Sequence, residues 1–338
     1  RSSDLMKNIV LPDTGTRRLP FYLAMEEWVA ASLPADRYFF SWRVRPTVIC
    51  GRHQDMAKEV DMDYCRSRGI DVVRRRSGGG CVYADMDNFM FSYIVPGNEI
   101  CTTFAEYTTA VASMLRSLGL NASANGRNDI MIGRCKVSGN AFYHLPGRCI
   151  AHGTMLYRYD PEVLSRALTP SRAKLESKGV QSVQSRVSCL VDEGLAMSPA
   201  EFEKYAVDYM CDSRYVLTAD DISEIEAIEQ NYYRPEFLHG RHALRENSPD
   251  KTVIRRHRRI EGAGEFDAAI KLGANNTIEA VDLSGDFFLL GNPAKEIFSA
   301  LQGITYERDA IRQALGGTNV ATVIAGLSTE SLLNILTD

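Results

Sequence analysis

The sequence predicts an α+β fold in two parts, a large domain over residues 1–245 and a small one over 250–338. Three observations carry this prediction: strand-like runs bracketed by helical stretches up to Tyr157, a polar gap at 239–251, and a second set of strands followed by helices beyond it. The 338 residues, 45% hydrophobic and 24% charged, match an ordinary globular chain long enough for two domains. Thirty-nine Lys and Arg against 43 Asp and Glu leave a formal net charge of -4, which disfavours bulk binding to polyanions. No apolar run reaches the roughly 18–20 residues that span a bilayer. Eight cysteines without a CxxC pair read as reduced thiols, and RSSDLMKNIV lacks a signal core. Met6-Lys7 reads as the natural start behind five added residues, and the whole as a cytoplasmic protein of bacterial type.

Taken in order, FYLAMEEWVAAS (21–32) sets Leu23 and Trp28 on a helical face and predicts a helix. YFFSWRV (38–44) and TVICG (47–51), separated at Pro46, read as strands. A short helix over 60–68 stops at Gly69, which suits a C-terminal cap. DVVRRR, CVYAD and FMFSYIV supply two or three more strands around a glycine triplet, and 102–118 forms a helix ended by Gly119. Residues 128–157 read as a meander with turns at Gly133 and Pro146-Gly147. TPSRAKLESKGVQSVQSR (169–186) is polar and reads as a long surface loop, a common form of active-site lid. Helices follow at 199–210 and 219–230. Beyond the polar gap, TVIRRHRRI, EFDAAIKL and TIEAVDLSGDFFLL read as strands, and 293–301, 307–315 and 328–336 as helices.

Three stretches carry chemistry. Arg74-Arg75-Arg76-Ser77-Gly78-Gly79-Gly80 follows a strand; consecutive glycines let N–H groups converge on an anion, and guanidinium forks suit carboxylate or phosphate. A flexible turn with solvated arginines is the plain alternative, and neither a Walker A spacing nor a full GxGxxG is present. Gly126-Arg127-Asn128-Asp129 leads by a turn to Lys136-Val137-Ser138-Gly139-Asn140-Ala141, so an amide, a carboxylate and an ammonium from two strands can face one pocket. Such groups suit a purine edge, a ribose or Mg²⁺; an ordinary turn pair and an exposed strand lysine fit the same residues. His152, within Ala151-His152-Gly153-Thr154, is either a donor to an anionic oxygen or a histidine hydrogen-bonded in place.

RRRSGGGCVYAD, GRNDIMIGRCKVSGNAF, AHGTMLY and KGVQSVQSRV occur in the order and spacing of lipoate-protein ligase A, a family the chain resembles over nearly its whole length. FYLAMEEWVA and FFSWRVRPTVICGRHQ upstream, and YRPEFLHG, SGDFF and GLSTESLLN downstream, extend the resemblance. It implies a biotin-ligase-like and lipoate-ligase-like fold, related to class II synthetases, with a mixed sheet and helices plus a small α+β C-terminal domain that moves between half-reactions. It further implies activation of lipoate with Mg²⁺ and ATP to lipoyl-AMP. Transfer then goes to a lysine of a lipoyl domain of a 2-oxoacid dehydrogenase E2 subunit, or of glycine-cleavage H protein. The enzyme would act as a cytoplasmic monomer with no nucleic-acid or membrane partner.

Carried over by motif, Arg75, Ser77, Gly79 and Gly80 line the acid and phosphate site. Asn128 and Asp129 serve nucleotide and metal, with Gly80 and Tyr83 joining the nucleotide site. Lys136 is the catalytic cation that touches the acyl oxygen and the α-phosphate. Ser138, Ala141 and His152 lie beside the adenylate, and Trp42, Val48 and Val82 are walls for the aliphatic chain. A lid at 169–186 would keep water from the mixed anhydride.

The chain departs from the family pattern at three places. Ala84-Asp85 stands for His-Asp, Ala151 for the first histidine of His-His-Gly-Thr, and Pro235-Glu236-Phe237 for Trp-Glu-Trp. Two rivals stay open. An octanoyl or lipoyl amidotransferase shares the fold and moves an acyl group between carriers without ATP, which makes Cys81 and Cys135 candidate nucleophiles. A carrier- or RNA-binding protein would use Arg255, Arg256, His257, Arg258 and Arg259, although alternate residues of a strand face opposite sides, as on a solvated edge strand.

Overall fold

A computed structural model describes residues 6–124, 127–168, 187–240 and 252–338. The expected lid at 169–186, most of the polar gap at 239–251, and Gly126 lie outside the described residues. The chain falls into two compact units. One comprises Arg1–Cys50, Ala57–Arg75 and Val82–Leu238; the other comprises Gly51–Met56, Arg76–Cys81 and His239–Asp338. The glycine triplet therefore packs with the C-terminal chain.

In the larger unit the strands are β1 (Met6–Val10), β2 (Tyr38–Trp42), β3 (Thr47–Cys50), β4 (Asp71–Arg74), β5 (Val82–Ala84), β6 (Asn88–Pro96), β7 (Ala122–Ala124), β8 (Asp129–Ile132), β9 (Cys135–Leu145), β10 (Arg148–Leu156) and β11 (Cys211–Val216). Among the described residues, eight form a mixed sheet of order β11-β1-β2-β6-β10-β9-β8-β7, and three form a small sheet of order β4-β3-β5. Phe40 pairs with Ser92, Ser92 with His152, and His152 with Ala141, so these four side chains share one face of the large sheet. That face is covered by the helix Leu19–Ser32, and Tyr22, Trp28, Trp42, Ile49, Val73 and Ala84 lie in the same apolar core. The helix is apolar on nearly every side because it lies buried within this core, with even Glu26 at 0% exposure. The opposite face carries an aromatic layer, where Phe89 meets Phe202 and Phe104 meets Phe142.

Several elements differ from the sequence expectation. The helix expected at 60–68 runs over Met62–Ser67, started by Asp61, which accepts a hydrogen bond from Tyr64 N–H, and a separate helical turn, Met56–Glu59, precedes it. The strands β1, β7 and β11 and the helices Pro161–Ala167 and Pro235–Leu238 went unpredicted. β11 follows the helix Pro199–Met210 with no intervening turn, and its polar sequence CDSRYV lies at the sheet edge. It pairs in parallel with β1 through five residue pairs, whereas β1 meets β2 through two.

In the smaller unit, β12 (Val253–Ile260), β13 (Gly264–Leu272) and β14 (Ile278–Gly285) form an antiparallel sheet in that order. Phe266 and Ile270 pack with Ile297, Ile311 and Leu332 from the helical segments that follow. β12 is an edge strand, as expected. His257 bridges Glu265 at 3.2 Å and Asp267 at 2.7 Å, so carboxylates of the neighbouring strand balance part of the basic run.

Gly153 lies opposite Asn140, and a Cβ on it would stand 1.9 Å from Asn140 Oδ1 and 3.0 Å from Tyr107 Oη. Gly153→Ala is expected to destabilise the larger unit by about 1–3 kcal/mol through overpacking. A lowered urea midpoint at unchanged slope checks it.

Candidate functional site

Asp129 opens β8 and pairs with Gly139 on β9. The register then shifts: Ile130 pairs with Ser138 but Met131 with Lys136, which leaves Val137 as an extra residue on β9. A bulge of this kind moves the side-chain alternation by one residue. Lys136 and Gly139, three apart, therefore share a face, and the lysine folds back across the glycine to reach Asp129, with Nζ 2.6 Å from Oδ1. A Cβ on Gly139 would stand 2.9 Å from Nζ and 3.1 Å from Cε, so the lysine uses the room a side chain would fill. The lysine side chain is 34% and the aspartate 26% exposed, which leaves the pair open to a solute. Ser188 N–H donates to the Lys136 carbonyl at 3.0 Å, and Val187 bridges Lys136, so the chain returning from the 169–186 stretch runs beside the lysine.

The same bulge corrects the expectation for Ser138. An uninterrupted strand would aim residues 136 and 138 the same way; instead Ser138 faces the opposite side, where Oγ donates to Asn140 Oδ1 at 3.1 Å. Asn128 and Asn140 hold the strand pair. Asn128 Nδ2 donates to the Asn140 carbonyl at 3.1 Å, and Asn140 N and Nδ2 donate to the Asn128 carbonyl at 2.9 and 3.0 Å.

Further across that face a buried polar network surrounds Glu26. Ser92 Oγ donates to Oε1 at 2.6 Å, Tyr143 Oη to Oε2 at 3.1 Å, and His152 Nδ1 lies 2.9 and 3.0 Å from the two oxygens. Trp42 Nε1 donates to Ser92 Oγ at 2.9 Å, and its ring stacks on Tyr22 at 4.8 Å. A buried carboxylate is tolerated only with its oxygens satisfied, so the donors and the acceptor fix one another in place. The network orients Trp42 and His152, two residues expected at the site. Sequence reasoning does not single out Glu26, because one carboxylate among the apolar residues of a helix forms no motif by itself. The available signal was the lack of any polar stripe along that helix.

Ala141 lies opposite His152, on the same face. Ala151 faces the other way, opposite Phe142 and Tyr93 at 0% exposure, so the departure at this position leaves the Trp42–His152 face untouched.

Arg74 and Arg75 are both buried. Arg74 Nε donates to the Leu238 carbonyl at 2.8 Å, and Arg75 Nη1 to the Ile49 carbonyl at 3.0 Å. Val82 packs against the core that contains Trp42. Val48 pairs with Tyr83, whereas Ile49 pairs with Val82, so Val48 faces the other side of the small sheet and does not join Trp42 as a wall. Burial first, then Asp85, raises the Tyr83 phenol above its ordinary range, which keeps it a neutral group.

The remaining expected residues belong to the smaller unit. Ser77 is 1% exposed, and its carbonyl accepts from Arg52 N–H at 2.9 Å. Gly79, at φ 86°, donates its N–H to the Phe287 carbonyl at 3.1 Å. This corrects the expectation that Gly79 presents its amide to an anion. Gly80 lies in the same segment.

Among the described residues no group of three or more His, Cys, Asp or Glu is placed to hold a metal. Asp129 alone still fits Mg²⁺, which is often held by one or two carboxylates together with water and substrate phosphate oxygens. None of the eight cysteines is bridged to another, and Cys81 and Cys135 are half-buried.

Residues 19–211 match the lipoyl protein ligase A/B catalytic domain family, and residues 250–336 match the bacterial lipoate protein ligase C-terminus family. Lipoate–protein ligase 1 of Staphylococcus aureus is 32% identical over 325 residues, covering 93% of this chain and 95% of that protein. A crystal structure of lipoate-protein ligase A bound with ATP superposes with a TM-score of 0.61 at 26% identity, over 70% of this chain and 99% of the other. A structure from work on an archaeal bi-partite lipoate protein ligase and its E2 lipoyl domain, from Thermoplasma acidophilum, gives 0.62 at 26%, over 70% and 97%.

Replacing Glu26 by leucine leaves Ser92, Tyr143 and His152 without their common partner. Glu26→Leu is expected to lose about 1–3 kcal/mol of stability for each donor left unsatisfied. Glu26→Gln, which keeps one acceptor oxygen, should lose less. Urea unfolding of the two variants side by side measures the difference.

Proposed function

The chain belongs to the lipoate-protein ligases, and from that premise we propose how its residues divide the work. It couples ATP to the attachment of lipoate to protein. The observation that carries the residue assignment is the Lys136–Asp129 pair folded over Gly139, on the sheet face that also holds Trp42, Ala141 and His152.

In the first half-reaction the lipoate carboxylate attacks the α-phosphorus of ATP. A new O–P bond forms, the bond to the β-phosphate bridging oxygen breaks, and pyrophosphate leaves, giving lipoyl-AMP. Both reactants are anions, so Lys136 offsets their repulsion and holds charge that builds on the α-phosphoryl oxygens. Asp129 would hold Mg²⁺, which supplies charge neutralisation for the phosphates when bound. Trp42 and Val82 wall the aliphatic chain, with His152 held by Glu26 at that end. In the second half-reaction an acceptor lysine, as the free amine, attacks the acyl carbon. The C–N bond forms, the bond to AMP breaks, and the amine proton departs.

The T. acidophilum comparison supports a lipoyl domain as the acceptor class, and we extend the acceptors to E2 subunits and glycine-cleavage H protein. The free thiols support a cytoplasmic setting, and no helix of the described residues is long and apolar enough to cross a membrane. We also assign residues 1–245 to catalysis and 250–338 to an accessory domain in a monomer. The amidotransferase alternative rests on Cys81 or Cys135 as nucleophile, and a single experiment separates the two readings.

Lys136→Ala is expected to slow lipoyl-AMP formation by roughly 100-fold or more with unfolding unchanged. Gly139→Ala, which displaces the ammonium from the other side, should fall between that variant and the parent. Pyrophosphate release with lipoate and ATP measures both, and a near-parental rate in Lys136→Ala would refute the role. Cys81→Ala and Cys135→Ala should stay active, whereas an amidotransferase would die with its thiol and need no ATP. Asp129→Asn is expected to need more Mg²⁺ for half-maximal rate; an unchanged magnesium dependence removes the metal assignment.

A further inference from the structure

The smaller unit joins three pieces of chain: Gly51–Met56, Arg76–Cys81 and the C-terminal part, in which Ser284-Gly285-Asp286-Phe287-Phe288 spans the end of β14 and the residues after it. The Phe287 ring stacks with His53 and with Phe266, each at 4.9 Å with 7° between planes. Gly285 N–H donates to the His53 carbonyl at 3.0 Å, and Asp286 Oδ1 accepts from Glu265 N–H at 2.7 Å. From this anchored position the Phe287 carbonyl accepts from Gly79 N–H at 3.1 Å. A Cβ on Gly78 would stand 2.3 Å from the same oxygen, so the approach admits only glycine.

Consecutive glycines lose more conformational freedom on ordering than any other residues. A triglycine turn without an anchor would present its groups in many directions, and a ligand would have to order it on binding. We propose that Phe287 is a positioning residue for the reaction: the His53–Phe287–Phe266 stack clamps its carbonyl against Gly78 and Gly79 and holds the loop in one shape for the phosphates of ATP. This rests on the reading of the chain as an ATP-dependent lipoate ligase. In this arrangement Gly79 supplies loop shape and not a phosphate donor. The C-terminal chain thereby takes part in ATP handling without contributing a charge to it.

The test is steady-state kinetics of the full chain with lipoate and ATP, reading KM for each substrate separately from kcat. His53→Ala removes one half of the stack at a half-exposed position and is expected to raise KM for ATP roughly two- to tenfold. KM for lipoate should rise less, because Trp42 and Val82, the walls assigned to its aliphatic chain, are no part of the stack. His53→Phe, which keeps a ring, should restore the parental value. Phe287→Ala should reproduce and deepen the effect; where that variant fails to fold, the His53 pair decides. A merely structural role would lower kcat by depleting active protein and leave both KM values alone, and that pattern, or an equal rise in both, overturns the proposal. Parental protein that releases no pyrophosphate from lipoate and ATP would overturn the ligase reading and this inference together. Normal parental turnover with an unmoved KM for ATP in His53→Ala sinks the clamp alone.

Discussion

One carboxylate, Glu26, ties the central helix to four strands of the large sheet. Ser92, Tyr143 and His152 reach it from β6, β9 and β10, and Trp42 on β2 joins through Ser92. Glu26, Ser92, His152 and Trp42 are buried and Tyr143 partly so, and an interior polar network of this kind either satisfies its members or penalises the fold. The position and rotation of the helix Leu19–Ser32 follow from it, because any sliding would break several hydrogen bonds at once. The orientation of the Trp42 and His152 rings is a by-product of that locking. A ligand entering the apolar face meets side chains already held in place, which lowers the ordering entropy of binding.

A second constraint acts at the charged end. The Lys136–Asp129 pair is partly exposed, so solvent screening keeps it weak and either partner can be exchanged for a competing ion at little cost. A deeply buried pair would resist such exchange. The bulge at Val137 supplies the geometry without a loop: a regular two-residue alternation would point residues 136 and 139 to opposite faces.

The sequence was most legible where local chemistry decides structure. The helix Pro199–Met210 was read to the residue because Ser198 and Glu201 form a reciprocal cap with Pro199 between them. Motif order also singles out Lys136, Asp129, Trp42 and His152, and these four share one face of the large sheet. What stayed hidden depends on register and on distant partners. Ser138 turned away because of one extra residue, and Val48 because only pairing tells which face of a short strand is which. Gly79 found its partner in Phe287, more than two hundred residues away. Glu26 forms no local motif, because its partners Ser92, Tyr143 and His152 come from three distant strands.

The parallel edge pair sets a timetable for synthesis. β1 holds β2 by only two residue pairs, and its main partner, β11, ends at Val216. On a ribosome adding about 5–20 residues per second, the opening strand waits on the order of 10–40 seconds before that partner emerges. Throughout that interval MKNIV is a strand edge in search of a neighbour, and Lys7, the one charge within it, is the kind of residue that discourages the wrong one.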